Sequence, residues 1–200
     1  MRGADAYFEM ERLELGAPAD WAALARMLAD MHRNIGPRFG WPTDNWIGLA
    51  PQKNGWRDDW IGFYRDCRLL PQLERAGLLS GAHRLLENLQ TFFGGYRPSP
   101  SLLHGDLWNG NVGFTREGPV IFDPAVYYGD READLAMTEL FGGFPADFYA
   151  AYDQAWPLDS GYAARKHLYN LYHLLNHLNL FGSGYRGQVD ATLGVLLRAL

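Results

Sequence analysis

The sequence predicts a mainly α-helical domain that carries one small β-hairpin. Several stretches repeat apolar side chains every three or four residues, which is the period of a helix with one buried face. Residues 111–123 differ, because two short runs of strand-forming residues flank a polar turn at 115–118. The chain has 200 residues, of which 48% are hydrophobic, so we expect a single domain with one core.

Three helices are predicted in the first half of the chain. Residues 20–33 place four apolar side chains at helical spacing, and the glycine and proline that follow end this helix. A loop rich in glycine, proline and tryptophan is expected over 36–55. A second helix is expected over 56–75 and should be bent or interrupted near its proline, which lacks a backbone donor. Ser80 is expected to cap a third helix that continues to residue 93.

The second half should begin with a polar loop and the hairpin and then become helical again. Asp130 stands at the position of an N-cap, where a short polar side chain can accept a hydrogen bond from a free helix N–H. The helix behind it is predicted over 131–141. Three further helices are expected at 145–152, 161–181 and 188–200.

Composition excludes several classes of protein. The formal net charge is −5 and no basic cluster occurs, so nucleic acid is not an expected partner. A single cysteine, Cys67, rules out an internal disulfide and fits a reducing compartment. No apolar run approaches membrane-spanning length, and the first residues lack the apolar region of a signal peptide. We therefore expect a cytoplasmic protein with no membrane partner.

Polar residues suited to phosphoryl transfer are concentrated in two segments. In residues 104–111 (HGDLWNGN), Asp106 precedes Asn111 by five positions, and Asp123 ends the second predicted strand. In phosphoryl transfer one carboxylate receives the proton of the attacking hydroxyl, while an amide and a second carboxylate hold magnesium. A hairpin would return Asp123 to the side of Asn111, and such oxygen donors suit magnesium. We predict a kinase with catalytic loop 104–111 and metal segment 121–125.

Simpler interpretations exist for these residues. His104-Gly105-Asp106 alone could be a surface turn, and Phe122-Asp123-Pro124 alone could be a strand end. Their order and hairpin-length separation favour the catalytic interpretation. His173 and His177 stand four residues apart as zinc ligands can, but no third ligand is evident and helix packing is the better interpretation.

The motifs resemble those of the fructosamine kinase (ketosamine kinase) family, within the larger group of aminoglycoside-phosphotransferase-like kinases. The resemblance is carried by residues 104–111, by Phe122-Asp123-Pro124-Ala125 and by 129–136 (GDREADLA). Aminoglycoside enzymes share the His-Gly-Asp and Asp-Pro pieces but generally lack the Leu-Trp extension and the Gly-Asp-Arg-Glu-Ala-Asp block. Upstream, similar residues are Trp46-Ile47-Gly48, Pro51-Gln52, Asn54, Trp60, Phe63, Arg68-Leu69 and Gln72.

This resemblance implies the C-terminal lobe of a protein-kinase-like fold. Residues 1–18 would form the hinge segment and residues 19–200 the helical lobe. No N-terminal β lobe is expected in this chain, because the hinge comes almost at once and neither Lys53 nor Lys166 has the strand context of a phosphate-pairing lysine. The uncovered hinge face would favour self-association.

The resemblance also implies ATP and Mg²⁺ as cofactors and a ketosamine as acceptor. The adenine would bind the hinge near Glu11, Arg12 and Leu13, and Asn111 and Asp123 would hold the metal. Asp106 would deprotonate a sugar hydroxyl, taken as the 3-hydroxyl.

Three neighbouring residues have supporting roles under this interpretation. His104 would brace the loop by hydrogen bonds. Trp108 could pack on the sugar or on the loop, and both remain open. Asp134 would anchor the start of its helix and tie down the loop, or act in catalysis directly.

Two alternatives stay open at this stage. An aminoglycoside or other small-alcohol kinase would need an acidic acceptor pocket, for which Asp130, Glu132 and Asp134 are the candidates, although they fit a scaffold role better. The other alternative is an inactive fragment that serves only for binding, because charge stabilisation by the β lobe would be missing. For the same reason the chain by itself is expected to transfer no phosphate.

Overall fold

The computed structural model describes residues 11–200, which fold into eight α-helices and six short strands. Residues 1–10, which include most of the predicted hinge segment 1–18, lie outside the described residues. The helices are α1 (Trp21–His32), α2 (Trp60–Tyr64), α3 (Leu70–Arg75), α4 (Leu79–Glu87), α5 (Glu132–Leu140), α6 (Ala146–Ala155), α7 (Tyr162–Phe181) and α8 (Arg186–Arg198). The strands are β1 (Asn45–Ile47), β2 (Ala50–Gln52), β3 (Ser101–Leu103), β4 (Val112–Thr115), β5 (Gly118–Ile121) and β6 (Tyr127–Gly129).

The strands form three separate antiparallel pairs. The predicted hairpin is confirmed as β4–β5, with Val112 opposite Ile121 and Thr115 opposite Gly118. The prediction of only one hairpin was wrong, because β1 pairs with β2 inside the predicted loop 36–55, and β3 pairs with β6. Strands of three residues are too short to show the alternating pattern that identifies a strand in a sequence.

The second helix begins later than predicted, and a π-helical segment interrupts it for a local reason. Asp59 caps it by accepting a hydrogen bond from the Gly62 N–H at 2.6 Å, so α2 starts at Trp60. Between α2 and α3 lies one π-helical segment, Arg65–Leu69, which ends two residues before Pro71. Because proline has no N–H, it cannot donate to the Cys67 carbonyl four residues earlier. The Arg68 guanidinium donates to that carbonyl instead, at 2.9 Å.

Two predicted caps need correction. Ser80 is not a cap, because α4 already begins at Leu79, and a 3₁₀ turn replaces the last part of the predicted helix 80–93. Helix α4 ends at Glu87 because the Asn88 side chain donates a hydrogen bond to the Arg84 carbonyl in the last turn of the helix. Asp130 is not the N-cap of α5, because Arg131 holds that position. Its carboxylate nevertheless accepts a hydrogen bond from the Glu132 N–H at 3.1 Å.

Two apolar cores meet at the catalytic segment. The larger one surrounds α7, and its buried residues include Trp60, Phe63 and Leu175. The smaller one lies where α1 packs on α6, and it contains Leu107 from the catalytic loop, which is fully buried. Leu107 therefore fixes the loop against the helices. Within residues 11–200, no helix combines the length and apolarity needed to cross a membrane.

Candidate active site

The catalytic loop and the metal segment lie against each other because residue 105 is glycine. Gly105 has a φ of +82°, and a Cβ at this position would stand 2.1 Å from the Ala125 carbonyl oxygen. Any other residue would therefore push the two segments apart. In this arrangement the Ala125 N–H donates to the His104 carbonyl at 2.8 Å.

Asp134 anchors the start of the catalytic loop. Its buried carboxylate accepts hydrogen bonds from the His104 N–H at 2.7 Å and the Gly105 N–H at 2.8 Å. It is also 3.1 Å from Nε2 of His32 on α1. Burial alone would raise the pKa of Asp134, but these hydrogen bonds and the nearby histidines hold it below its usual range. Asp134 is thus an ionised anchor, and its oxygens are occupied by the protein itself.

His104 braces the loop as a neutral imidazole. Its Nδ1 accepts the Asp106 N–H at 3.2 Å, so the ring proton belongs on Nε2, which is 2.8 Å from the Phe122 carbonyl. Burial lowers the pKa of His104 and so favours this uncharged form. The ring connects the catalytic loop to the metal segment.

Asp106 is a half-buried carboxylate near the start of this loop. Burial raises its pKa from the ordinary 3.8 to about 6, and the negative charges of Asp134 and Asp123 add to the rise. A carboxylate with a pKa close to neutrality accepts a proton more readily than an ordinary surface aspartate does.

Asn111 and Asp123 are brought together by the β4–β5 hairpin. The Asn111 carbonyl accepts the Phe122 N–H at 3.1 Å, and its side-chain NH₂ donates to the Asp106 carbonyl at 2.8 Å. The side-chain oxygen of Asn111 is therefore left to accept another ligand. The Asp123 carboxylate is exposed and has no hydrogen-bond partner among the described residues. Asp123 also has a φ of +53°, a left-handed backbone conformation that is costly outside glycine and typical of functional sites.

Trp108 packs on the loop and still exposes one part of its ring. A Cβ at Gly110 would lie 2.3 Å from the indole, so the ring covers that glycine. At the same time 40% of the Trp108 surface is exposed. Loop packing and contact with a ligand are both compatible with this position.

The three predicted hinge residues line a different cavity. Glu11, Arg12 and Leu13 border an open cleft of about 780 Å³ whose other wall is the hairpin tip, residues 115–120. Asp106, Asn111 and Asp123 do not line it. The segment is held by Phe114, whose carbonyl accepts the N–H groups of residues 16 and 17. Leu13 and Leu15 are exposed, which is the feature on which the predicted self-association rests.

The three acidic residues after the metal segment form internal contacts. Asp130 accepts hydrogen bonds from two tyrosine hydroxyls, Tyr96 at 2.9 Å and Tyr169 at 2.5 Å. Glu132 forms a two-point ion pair with the buried Arg165. Together with Asp134 these carboxylates hold the fold, so they do not form an acidic pocket for a cationic acceptor.

Comparison with known proteins identifies the family. A family model described as fructosamine kinase matches residues 1–199. The chain belongs to the fructosamine kinase family. A probable ketoamine kinase of Synechocystis is 48% identical over 200 residues, covering 96% of this chain. A chloroplastic protein-ribulosamine 3-kinase of Arabidopsis thaliana is 42% identical over 205 residues, covering 97% of this chain.

Solved structures of the fructosamine kinase family share the fold. A candidate fructosamine-3-kinase from Thermobifida fusca superposes with a TM-score of 0.86 at 38% identity, over 94% of this chain and 69% of that chain. The present chain spans 68% of the length of the Synechocystis relative and 63% of the Arabidopsis relative. The family assignment thus rests on a match over residues 1–199 of this chain.

Some residues that organise this fructosamine kinase site were missed in the sequence. His32 lies one turn beyond Leu28 on the buried face of α1, and Arg165 is a buried helix residue as well. Arg68, which the sequence singled out only by resemblance and without a role, is also buried. Arg68 lies 3.9 Å from the ring centroid of Tyr127 and donates to Asn54 Oδ1 at 3.0 Å. A sequence signal for such residues does exist. A polar residue on the apolar face of a predicted helix will be buried, and a buried polar side chain needs a hydrogen-bond partner.

We expect His32→Leu to destabilise this fructosamine kinase family chain by about 1–3 kcal/mol, because Asp134 would lose a buried hydrogen-bond partner. The Tyr152 hydroxyl, 2.7 Å from His32 Nδ1, would lose one of its two partners and keep the hydrogen bond donated by Arg131. Urea unfolding monitored by circular dichroism measures the effect. His83→Leu is the matched control, because that histidine is exposed and pairs only with Glu87. Equal stabilities for the two variants would contradict the anchoring role of His32.

Proposed function

We propose that this protein transfers the terminal phosphate of ATP to a sugar hydroxyl of a ketosamine. The observation that carries the proposal is the Asp106 carboxylate with its raised pKa, on a loop anchored by Asp134 and next to Asn111 and Asp123. A kinase needs this combination of one proton acceptor and two oxygen ligands. Membership of the fructosamine kinase family supports it.

In the proposed reaction, Asp106 orients the acceptor hydroxyl and takes its proton as the oxygen attacks the phosphate. His104 and Asp134 act indirectly, since they hold the backbone on which Asp106 stands. The hinge residues Glu11 and Leu13 would contact the adenine. A pre-positioned base of this kind lowers the barrier because little reorganisation remains to be done at the moment of reaction.

The donor set at Asn111 and Asp123 fits magnesium. One amide oxygen and one unpaired carboxylate are the hard oxygen ligands that this ion prefers, and water and phosphate complete its shell. When bound, magnesium neutralises charge on the phosphates. A site with two protein ligands is compatible with the finding that residues 11–200 contain no cluster of three or more His, Cys, Asp or Glu arranged to hold a metal.

The acceptor is inferred from the names of relatives and from the acidic residues. Relatives are named ketoamine kinase and protein-ribulosamine 3-kinase, which favours a ketosamine, with its 3-hydroxyl as the acceptor. A cationic aminoglycoside is disfavoured, because Asp130 and Glu132 are engaged by tyrosines and Arg165. The cytoplasm remains the proposed location, in keeping with the buried free thiol of Cys67, although the plant relatives are named chloroplastic.

Phosphate transfer from labelled ATP tests the proposal directly. The acceptors are a small ribulosamine, a small fructosamine and an aminoglycoside, each with and without Mg²⁺. The protein is assayed as the 200-residue chain and also fused to the part of the Synechocystis relative that has no counterpart here. Magnesium-dependent transfer to a ketosamine supports the proposal. Transfer to the aminoglycoside alone would favour the other kinase class, and no transfer in either form would favour a binding-only fragment.

Asp123→Ala is expected to abolish magnesium-dependent ATP binding, because Asn111 alone supplies no charge to the ion. Isothermal titration with ATP, with and without Mg²⁺, measures this loss. Asp123→Asn is the matched variant, since asparagine tolerates the left-handed backbone and removes only the charge. Unchanged Mg-ATP affinity in both variants would remove Asp123 from the metal site.

A further inference from the structure

A cross-strand pair of amide side chains on the β1–β2 hairpin binds the chain directly after Asp123. Asn45 and Gln52 lie opposite each other in this hairpin, so their side chains share one face of it. Asn45 donates to the Val126 carbonyl at 2.8 Å, and Gln52 donates to the Ala125 carbonyl at 3.0 Å. One pair of side chains therefore binds two consecutive carbonyls where the metal segment ends.

Ala125 connects Gln52 to the catalytic loop. The Ala125 N–H donates to the His104 carbonyl at 2.8 Å, while its carbonyl oxygen occupies the space that a Cβ on residue 105 would need. The Gln52 amide binds that same oxygen. Only 1% of Gln52 is exposed, so this side chain acts through the backbone between the two segments rather than on a bound ligand.

The orientation of the Gln52 amide is fixed by its partners. A carbonyl oxygen can only accept, so the NH₂ group of Gln52 must face Ala125, and it also donates to Asn45 Oδ1 at 2.9 Å. The amide oxygen accepts a hydrogen bond from the hydroxyl of Tyr172 on α7, at 2.9 Å. Gln52 thus joins α7 to the metal segment with both N–H bonds and its oxygen in use.

A second chain of hydrogen bonds supports Asn45. Arg68 in the π-helical segment donates to Asn54 Oδ1 at 3.0 Å, and the Asn54 NH₂ group donates to Asn45 Oδ1 at 2.9 Å. The Arg68 guanidinium also lies over the ring of Tyr127, the first residue of β6. Three residues that the sequence singled out only by resemblance therefore belong to one network behind the metal segment: Gln52, Asn54 and Arg68.

The backbone of Asp123 depends on support of this kind. Its left-handed conformation, with a φ of +53°, is unfavourable for an aspartate and persists only where surrounding contacts hold the chain. On the C-terminal side, those contacts are the hydrogen bonds to the carbonyls of Ala125 and Val126. Their loss would let the Asp123 carboxylate move relative to Asn111.

We propose that Gln52 is a positioning residue, which keeps the Asp123 carboxylate in the place where it holds magnesium beside Asp106. This role rests on the proposed function, because it takes Asp123 to be a magnesium ligand. Gln52 acts through the backbone of Ala125, and Tyr172 fixes its amide. Residues that orient metal ligands typically contribute roughly 10- to 100-fold to metal affinity or activity.

Amide hydrogen exchange followed by NMR tests the positioning without any need for catalysis. In each sample of the 200-residue chain, the Ala125 N–H is compared with the N–H of Leu175, a fully buried residue of α7. Gln52→Met should speed exchange at Ala125 relative to Leu175 on the order of tenfold, because the segment opens locally more often. The comparison within one sample cancels a uniform loss of stability.

A milder variant and a matched control accompany Gln52→Met. Tyr172→Phe removes only the hydroxyl that orients Gln52, so it should change the exchange ratio in the same direction and more weakly. Asn176→Leu removes another buried amide, whose hydrogen bond joins α7 to Gln72 of α3 at 3.1 Å, and should keep the wild-type ratio. Circular dichroism checks that each variant is folded.

Calorimetry and kinetics on the fused protein test the connection to magnesium. Gln52→Met should weaken Mg-ATP binding on the order of tenfold and leave the binding of ATP without Mg²⁺ unchanged. It should also lower kcat, while KM for the ketosamine keeps its value, since Gln52 is buried away from ligands. Asn176→Leu should match the parent protein in these assays even where urea unfolding shows a comparable loss of stability.

Three results would overturn the proposal. The exchange ratio could stay unchanged in Gln52→Met and Tyr172→Phe, a folded Gln52→Met variant could keep full Mg-ATP affinity, or Asn176→Leu could produce the same changes. If Gln52→Met does not fold, Tyr172→Phe decides by the same measurements. Failure of the proposed function is distinguishable, because it appears as absence of phosphate transfer by the parent protein while the exchange ratio still responds to Gln52→Met.

Discussion

Asp106→Asn is expected to lower kcat for phosphate transfer by roughly two to four orders of magnitude, the usual contribution of a positioned general base. The amide cannot accept the proton of the acceptor hydroxyl, while its shape preserves the loop. Affinity for Mg-ATP should change little, because Asn111 and Asp123 are intact. Initial rates at saturating ATP and acceptor, measured on the fused protein described above, give the loss.

The pH dependence separates a base from a structural residue. Because the pKa of Asp106 is raised to about 6, the rate should rise with pH through that value as the carboxyl ionises. The free energy of unfolding changes with pH in the opposite direction to the rate. The native state holds this proton more tightly than the unfolded chain, so stability conferred by the protonated form is lost as pH rises from about 4 through about 6.

Asp106→Asn should therefore melt at the same temperature as the parent protein, or higher, at pH 7.5. Differential scanning calorimetry on the same samples used for kinetics provides this check. A low rate together with a lowered melting temperature would point to damage to the loop. Near-normal kcat in a fully folded variant would exclude Asp106 as the base.

Arg165→Met is expected to cost about 3–5 kcal/mol of folding free energy, because it leaves a buried carboxylate without its cation. Arg165 is almost fully buried and donates to Glu132 at 2.7 and 2.9 Å, and its guanidinium lies 3.9 Å from the ring centroid of Tyr96. The pair joins α7 to the first turn of α5, the helix that also carries Asp134. Urea unfolding at pH 7 gives the difference in stability.

The exposed pair Arg186–Asp190 supplies the matched control. Its nitrogen–oxygen distance of 2.9 Å resembles that of the buried pair, yet both side chains are half exposed. Arg186→Met should change stability by less than about 1 kcal/mol, since exposed ion pairs contribute little. Glu132→Gln combined with Arg165→Met should recover part of the loss. An effect below about 1 kcal/mol for Arg165→Met alone would show that the buried pair is dispensable.

The parts of the fold that depend on neighbouring residues could be predicted from the sequence. Helix α1 is one example, since its apolar spacing and the Asp20 cap, which accepts the Ala23 N–H at 2.8 Å, are both local. The β4–β5 hairpin is another, because its turn chemistry lies within four residues. The order of Asp106, Asn111 and Asp123 indicated phosphoryl transfer for the same reason: hairpin geometry follows from the length of the spacer.

Tertiary structure alone decided which distant residues support that chemistry. His32 and Asp134 are 102 residues apart in the chain, and no sequence pattern pairs them. The raised pKa of Asp106 comes from burial and from the charges of Asp134 and Asp123, so it exists only in the folded chain. Spacing along a chain determines local hydrogen bonds, whereas burial and charge at the site depend on long-range packing.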